Sequence, residues 1–150
     1  QPEIRELLDR HKEPDQLLII LASPVAEVGR DHDYDWAIVE PSSIRSIIQL
    51  AGRVRRHREG AVEKPNIALL QTNLKHLKTG LGQPAYLRPG FEEPGHAILR
   101  SHDLHELIHE EQLARIDASP RIRENPKSDP RTNLADLEHA QLRALMGFTR

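Results

Sequence analysis

Cysteine is absent from the 150 residues. That excludes disulfides and thiolate metal sites, and points to a reducing, cytoplasmic setting. Aromatic residues make up only 3% of the chain, within 37% hydrophobic residues in all, and there are 11 prolines. This is lean for a self-sufficient core and suits a piece that packs against other domains. The length still allows one domain with a real core. No apolar run is long enough to cross a membrane, and nothing at the start has the pattern of a signal peptide, so no membrane partner is expected. An initiator Met is missing before Gln1, which fits a fragment, a processed chain or a trimmed one. A dominant charge is missing too. Lys and Arg number 21 and Asp and Glu 23, for a formal net charge of −2. The chain as a whole is therefore not a basic nucleic-acid binder, and its positive charge is concentrated at 53–58.

What is present is organised around residues 17–58, LLIILASPVAEVGRDHDYDWAIVEPSSIRSIIQLAGRVRRHR. The short apolar run at 17–22 lies between Pro14-Asp15 and Ser23-Pro24 and reads as a strand buried on both faces. A second strand at 36–39 is closed by Pro41, which cannot continue a central strand. The loop between them, VAEVGRDHDYD, is dense in charges and hydrogen-bonding groups. Loops of this kind at strand ends are where α/β sheets place ligands. Ser42 or Ser43 can cap the helix that follows, and Ile44, Ile47, Ile48 and Ala51 mark its buried face at helical spacing. Near its far end come Arg53, Arg55, Arg56 and Arg58.

Guanidinium is planar, permanently charged and matched to phosphate oxygens. Arg53 and Arg56 share a helix face if the helix persists that far, and two such groups aimed at one point can neutralise a transferred phosphoryl group. A solvated basic helix end that favours the helix dipole accounts for the same spacing.

The order of residues adds to this. SPVAEVGRD at 23–31 resembles motif five of the superfamily 2 helicases, and QLAGRVRR at 49–56 resembles motif six. The wider stretch from Val25 to Arg58 is similar to the CRISPR-associated helicase–nuclease of type I systems, most like the type I-F form, in which a second CRISPR protein is fused at the amino end. The resemblance implies an α/β fold. It would be the C-terminal part of the second RecA-like lobe, a parallel sheet of the P-loop NTPase type, followed by a mainly helical accessory segment. It implies that Ser23 contacts the nucleic-acid backbone, that Gly29 lets the loop turn close to the ligand, and that Asp31 meets the ribose hydroxyls of ATP. Gln49 would line the nucleotide site. Arg53 and Arg56 would reach the phosphates, with Arg56 the arginine finger. Leu50 and Arg55 depart from the pattern, standing where many relatives carry Arg and Gly. The implied partners are ATP with magnesium, single-stranded DNA, the guide-RNA surveillance complex, the rest of the same polypeptide and anti-CRISPR inhibitors. The nuclease's divalent metal would belong to another domain.

The rest of the chain reads as support. Residues 2–11 suit a short helix with Ile4, Leu7 and Leu8 on one face, and 66–71, NIALLQ, a further parallel strand reached by a right-handed crossover. The lobe would thus occupy 1–71, a loop-rich connector 72–100 with one helical turn at 74–78, and an accessory region 101–150. Residues 101–116 read as one helix capped by Ser101 or Asp103. Its His102, His105 and His109 have spacing that can bind zinc, but a lone helix rarely completes a metal shell and no second ligand cluster accompanies them, so a polar, His-rich face is the favoured reading and no metal residue is assigned. Residues 117–132 read as a linker or flexible surface loop, with Arg121, Arg123, Lys127 and Arg131 balanced by acids. Residues 133–146 read as an amphipathic helix capped by Asn133, with Leu134, Leu137, Leu142, Leu145 and Met146 as its stripe.

A phosphate loop and an acidic metal-holding motif, both needed by such an ATPase, are not in the sequence. The chain would supply one wall of an ATP site and part of a DNA track, and would be inactive alone. The alternative is a non-catalytic RecA-like docking module that offers its tail helices to a partner.

Overall fold

The computed structural model describes residues 2–93 and 97–147. Pro94, Gly95 and His96 of the expected loop, and the terminal residues 148–150, lie outside them. Two strands form, β1 (Ala37–Val39) and β2 (Ile67–Leu69), paired in parallel with Ala37 opposite Ile67 and Val39 opposite Leu69. A parallel pair needs a crossover, and α2 (Ile44–Ala51) lies within it. The α/β reading is therefore met by a strand–helix–strand unit. Helix α1 (Pro2–Arg10) precedes the unit and buries no residue.

The start of α2 follows its sequence. Ser43 is extended at φ −161°, and its Oγ accepts the Ser46 N–H at 3.1 Å. This satisfies one of the donors that a helix start leaves free. Ile44 and Ile47 are buried, and Ile48 packs on the same core. The helix then stops at Ala51, and the Gly52 N–H donates to Ile48 O at 3.0 Å. Val54 instead pairs in parallel with Tyr34. Arg53 and Arg56 therefore do not share a helix face.

The expected strand at 17–22 does not form. Leu17 is 68% exposed and Leu21 96%. A strand exists through its ladder, and β1 and β2 pair only with each other among the described residues. The apolar run has no neighbour to order it.

The loop-rich stretch after β2 is not a loose exit. After α3 (Leu74–Thr79), where Asn73 caps the expected turn, the chain dives into the core. Tyr86 and Glu92 are both fully buried. The Glu92 carboxylate accepts N–H groups from Ala85 (2.8 Å), Tyr86 (3.0 Å) and Leu99 (2.9 Å). The His102 Nε2 lies 2.9 and 3.1 Å from its two oxygens, so that nitrogen carries the hydrogen. The Tyr86 hydroxyl donates to the His102 carbonyl, and the two rings stack. Gly90 is required by close approach. A Cβ there would lie 2.1 Å from Tyr86 O and 2.3 Å from Ser42 O, both backbone atoms.

The expected single helix at 101–116 is two, α4 (Leu104–Leu107) and α5 (Glu110–Ala114). Ile108 is extended and buried, which breaks the helical path, and Gln112 Oε1 accepts the His109 N–H at 3.2 Å to start the second piece. His102 is locked in the core while His105 and His109 are exposed, so the three imidazoles do not converge. The segment at 117–132 holds a helical turn, α6 (Ser119–Ile122), and is pinned rather than loose. Arg121 Nε donates to Glu138 at 2.8 Å, and Asn125 and the Asp129 N–H donate to Asp136.

Helix α7 (Leu134–Leu145) starts as expected, with Asn133 Oδ1 accepting the Ala135 and Asp136 N–H groups. Its buried face differs from the expected stripe. Leu134 and Leu137 are buried, but so are Asp136 and Glu138, while Leu145 and Met146 face out. The buried acids bond to neighbours: Glu138 Oε2 also accepts the Arg45 N–H in the first turn of α2, at 3.2 Å. One apolar cluster thus joins α2, Tyr86, α4 and α7.

Burial by itself raises the Glu92 carboxyl, but the Tyr86, Ala85 and Leu99 N–H donors and His102 outweigh it and hold it below its ordinary 4.5. The folded state then binds fewer protons than the unfolded one. The stabilisation is present above 4.5 and is lost as pH falls through the lower folded value. Glu92→Gln should cost about 1–3 kcal/mol at about pH 7 and flatten the acid limb of stability. Urea unfolding across pH checks this; an unchanged acid limb counts against it.

Candidate functional site

A 3-10 turn forms at Pro24–Glu27, entered from Ser23. Proline suits the first position because it has no N–H to satisfy. Ser23 O accepts the Ala26 N–H at 3.0 Å, while the Ser23 hydroxyl makes no cap bond and the residue is exposed. Glu27 closes the turn and is only 5% exposed. Its Oε1 accepts the Ser46 hydroxyl of α2 at 2.6 Å, and its carbonyl oxygen accepts Arg53 Nη2 at 2.6 Å. The 3-10 turn and Arg53 are thus one assembly.

Arg53 is fixed through its backbone as well. Its carbonyl accepts the Tyr34 N–H at 2.9 Å, and Tyr34 O accepts the Arg55 N–H at 2.9 Å. Its guanidinium is only partly satisfied. Nε and Nη1 are buried and have no hydrogen-bond partner. Buried charged donors are costly when unpaired, so an oxygen-rich anion fits this position.

The other residues read from the sequence are spread around this centre. Gly29 lies under His32, where a Cβ would meet the ring at 2.2 Å, and His32 stacks on Tyr34. Asp31 and Gln49 are exposed, and among the described residues no hydrogen bond joins either to Arg53 or Arg56. Arg56 is exposed beyond Val54, held only by a 3.4 Å bond from Nη1 to Gly52 O. Arg58 is already engaged: it pairs with Asp33 and Asp35 and donates to Asp33 O at 3.0 Å. The structure therefore joins Glu27 and Arg53 directly, places Ser23 at the entry of the same turn, and leaves Arg56 exposed outside that assembly. Glu27 and Ser46 were not read from the sequence as site residues. An acid inside a turn facing a serine one helical turn past a cap is the available signal.

Among the described residues no group of three or more His, Asp or Glu is arranged to hold a metal ion. No helix among the described residues is long and apolar enough to cross a membrane.

Residues 1–59, which hold every candidate site residue, match the family model described as CRISPR-associated nuclease/helicase Cas3, C-terminal. The similarity continues to the tail. Over 97% of its length the chain is 59% identical to the CRISPR-associated nuclease/helicase Cas3 subtype I-F/YPEST of Pseudomonas aeruginosa. The chain matches a segment of subtype I-F Cas3. It is also 45% identical, again over 97% of its length, to the protein of the same description in Pectobacterium atrosepticum. The chain spans 13% of the length of each of these Cas3 relatives.

Arg55 sits at φ 50°, in the left-handed region. A side chain there costs about 1–2 kcal/mol, partly offset by the greater freedom glycine has when unfolded. Arg55→Gly should therefore stabilise the chain by roughly 0.5 kcal/mol. Thermal unfolding checks it, and a clear loss of stability would show that the Arg55 side chain contributes contacts that outweigh the strain.

Proposed function

We infer that this chain is the closing part of the second RecA-like lobe of an ATP-driven, single-strand DNA helicase coupled to a nuclease, acting in CRISPR interference. Residues 1–71 belong to the lobe, 72–100 connect, and 101–150 form the accessory region. The observation that carries the reading is Arg53, a guanidinium held in place by the motif-five turn with two buried N–H groups unused. The match to nuclease/helicase relatives supports it.

In this reading ATP binds between this lobe and another that supplies the phosphate loop and the magnesium. Asp31 and Gln49 face the nucleotide, and Gly29 lets the loop approach it. Arg53 holds the phosphates in the ground state, because its fixed geometry costs no reorganisation. Arg56, exposed and weakly tethered, closes on the transferred phosphoryl group as the finger. Ser23, at the entry of the turn whose exit anchors Arg53, touches the DNA backbone. One turn thus links DNA contact to phosphate contact. By the same resemblance, the guide-RNA surveillance complex delivers the strand, and anti-CRISPR inhibitors are candidate binders.

The exposed apolar side chains Leu17, Ile19, Leu21, Trp36 and Ile38 favour one second reading, a RecA-like docking module without catalysis.

In the full-length enzyme, Arg56→Ala should lower ATP turnover about a thousandfold or more and leave single-strand DNA binding within a few-fold. Residues 1–150 alone should neither hydrolyse ATP nor cut DNA. Unchanged turnover in Arg56→Ala removes the finger role, and turnover by the purified segment overturns the incomplete-site reading. If Arg53→Ala is silent as well, the docking module is what remains.

A further inference from the structure

Glu27 is an odd residue to bury. A carboxylate at 5% exposure loses most of its hydration, and an apolar side chain would close a surface turn at less cost. Its geometry gives it a task. One carboxylate oxygen takes the Ser46 hydroxyl at 2.6 Å, which fastens the 3-10 turn to the first turn of α2. The carbonyl of the same residue takes Arg53 Nη2 at 2.6 Å. Ser46 itself cannot drift, because its N–H is held by the Ser43 cap. The chain of contacts runs from the helix cap through Ser46 and Glu27 to the guanidinium, and every link is buried or half-buried.

We propose that Glu27 is a positioning residue: its carboxylate, gripped by Ser46, fixes the turn whose carbonyl oxygen aims the Arg53 guanidinium at the nucleotide phosphates. The proposal rests on the phosphate role of Arg53. Without the carboxylate the turn loses its tie to α2, and the carbonyl that orients Arg53 drifts with it. An ångström of misplacement at such a contact costs on the order of a hundredfold in rate. Glu27 does not touch substrate, so its effect must vanish when Arg53 is gone.

The test uses the full-length helicase–nuclease that contains this segment, with ATP and single-stranded DNA. Glu27→Ala and Ser46→Ala should each lower kcat for ATP hydrolysis by about tenfold to a hundredfold. Glu27→Gln keeps an acceptor oxygen and should restore most of the rate. In an Arg53→Ala background, Glu27→Ala should cause no further loss. A merely structural role would instead multiply the two losses, and that result overturns the proposal. So does full turnover in Glu27→Ala beside lost turnover in Arg53→Ala, which leaves the role of Arg53 intact. Full turnover in Arg53→Ala removes the phosphate role, and this proposal with it. Should Glu27→Ala fail to fold, Ser46→Ala in the same cycle decides, since it cuts the same hydrogen bond from the other side.

Discussion

A carboxylate with no water around it organises the middle of the chain. Glu92 gathers three backbone N–H groups and one imidazole from residues 85–102. The described residues of this stretch up to Asp103 lie outside helices and strands, so their backbone donors need another acceptor. Glu92 supplies it, and the loop can then bury Tyr86 beside α2 and α7. Without this anchor the apolar cluster would have a gap where a sheet or helix would ordinarily stand.

The same economy recurs at the arginines. Neither the turn nor the arginine stands alone. The 3-10 turn at Pro24–Glu27 is too short to hold its shape unaided, and Arg53 lies past the end of its helix. Each fixes the other, through a carbonyl on one side and a hydroxyl–carboxylate bond on the other. Tyr34 and Val54 close the loop with a strand-like bridge. α2 is the common strut, held in its first turn by Ser43, Glu138 and Glu27.

What could be read from the sequence was local. Ser43 and Asn133 sit before apolar residues at helical spacing, and both cap the helices expected of them. β1 and β2 follow from short apolar runs ended by breakers. The run at 17–22 looks the same, yet among the described residues no partner strand lies beside it, and pairing is not a local property. Glu92 and Glu138 look like surface charges because nothing in the sequence marks their donors: Glu92 accepts backbone N–H groups 6 and 7 positions away and His102 at 10, and the Arg45 N–H that Glu138 accepts is 93 positions distant. At the site, the arginines could be singled out by type and spacing. The carbonyl that aims Arg53 could not, since 26 residues separate them and any residue has a carbonyl. The break at Ile108 escaped notice because burial, not propensity, sets it.

The exposed run LLIIL at 17–21 carries a consequence for handling the molecule. It combines unpaired backbone with branched apolar side chains, no charge and no proline. Such a stretch is a template for edge-to-edge pairing between copies. Material made from these residues alone would tend to associate as its concentration rises, and a charged residue placed at Ile19 or Leu21 would act as a gatekeeper against it.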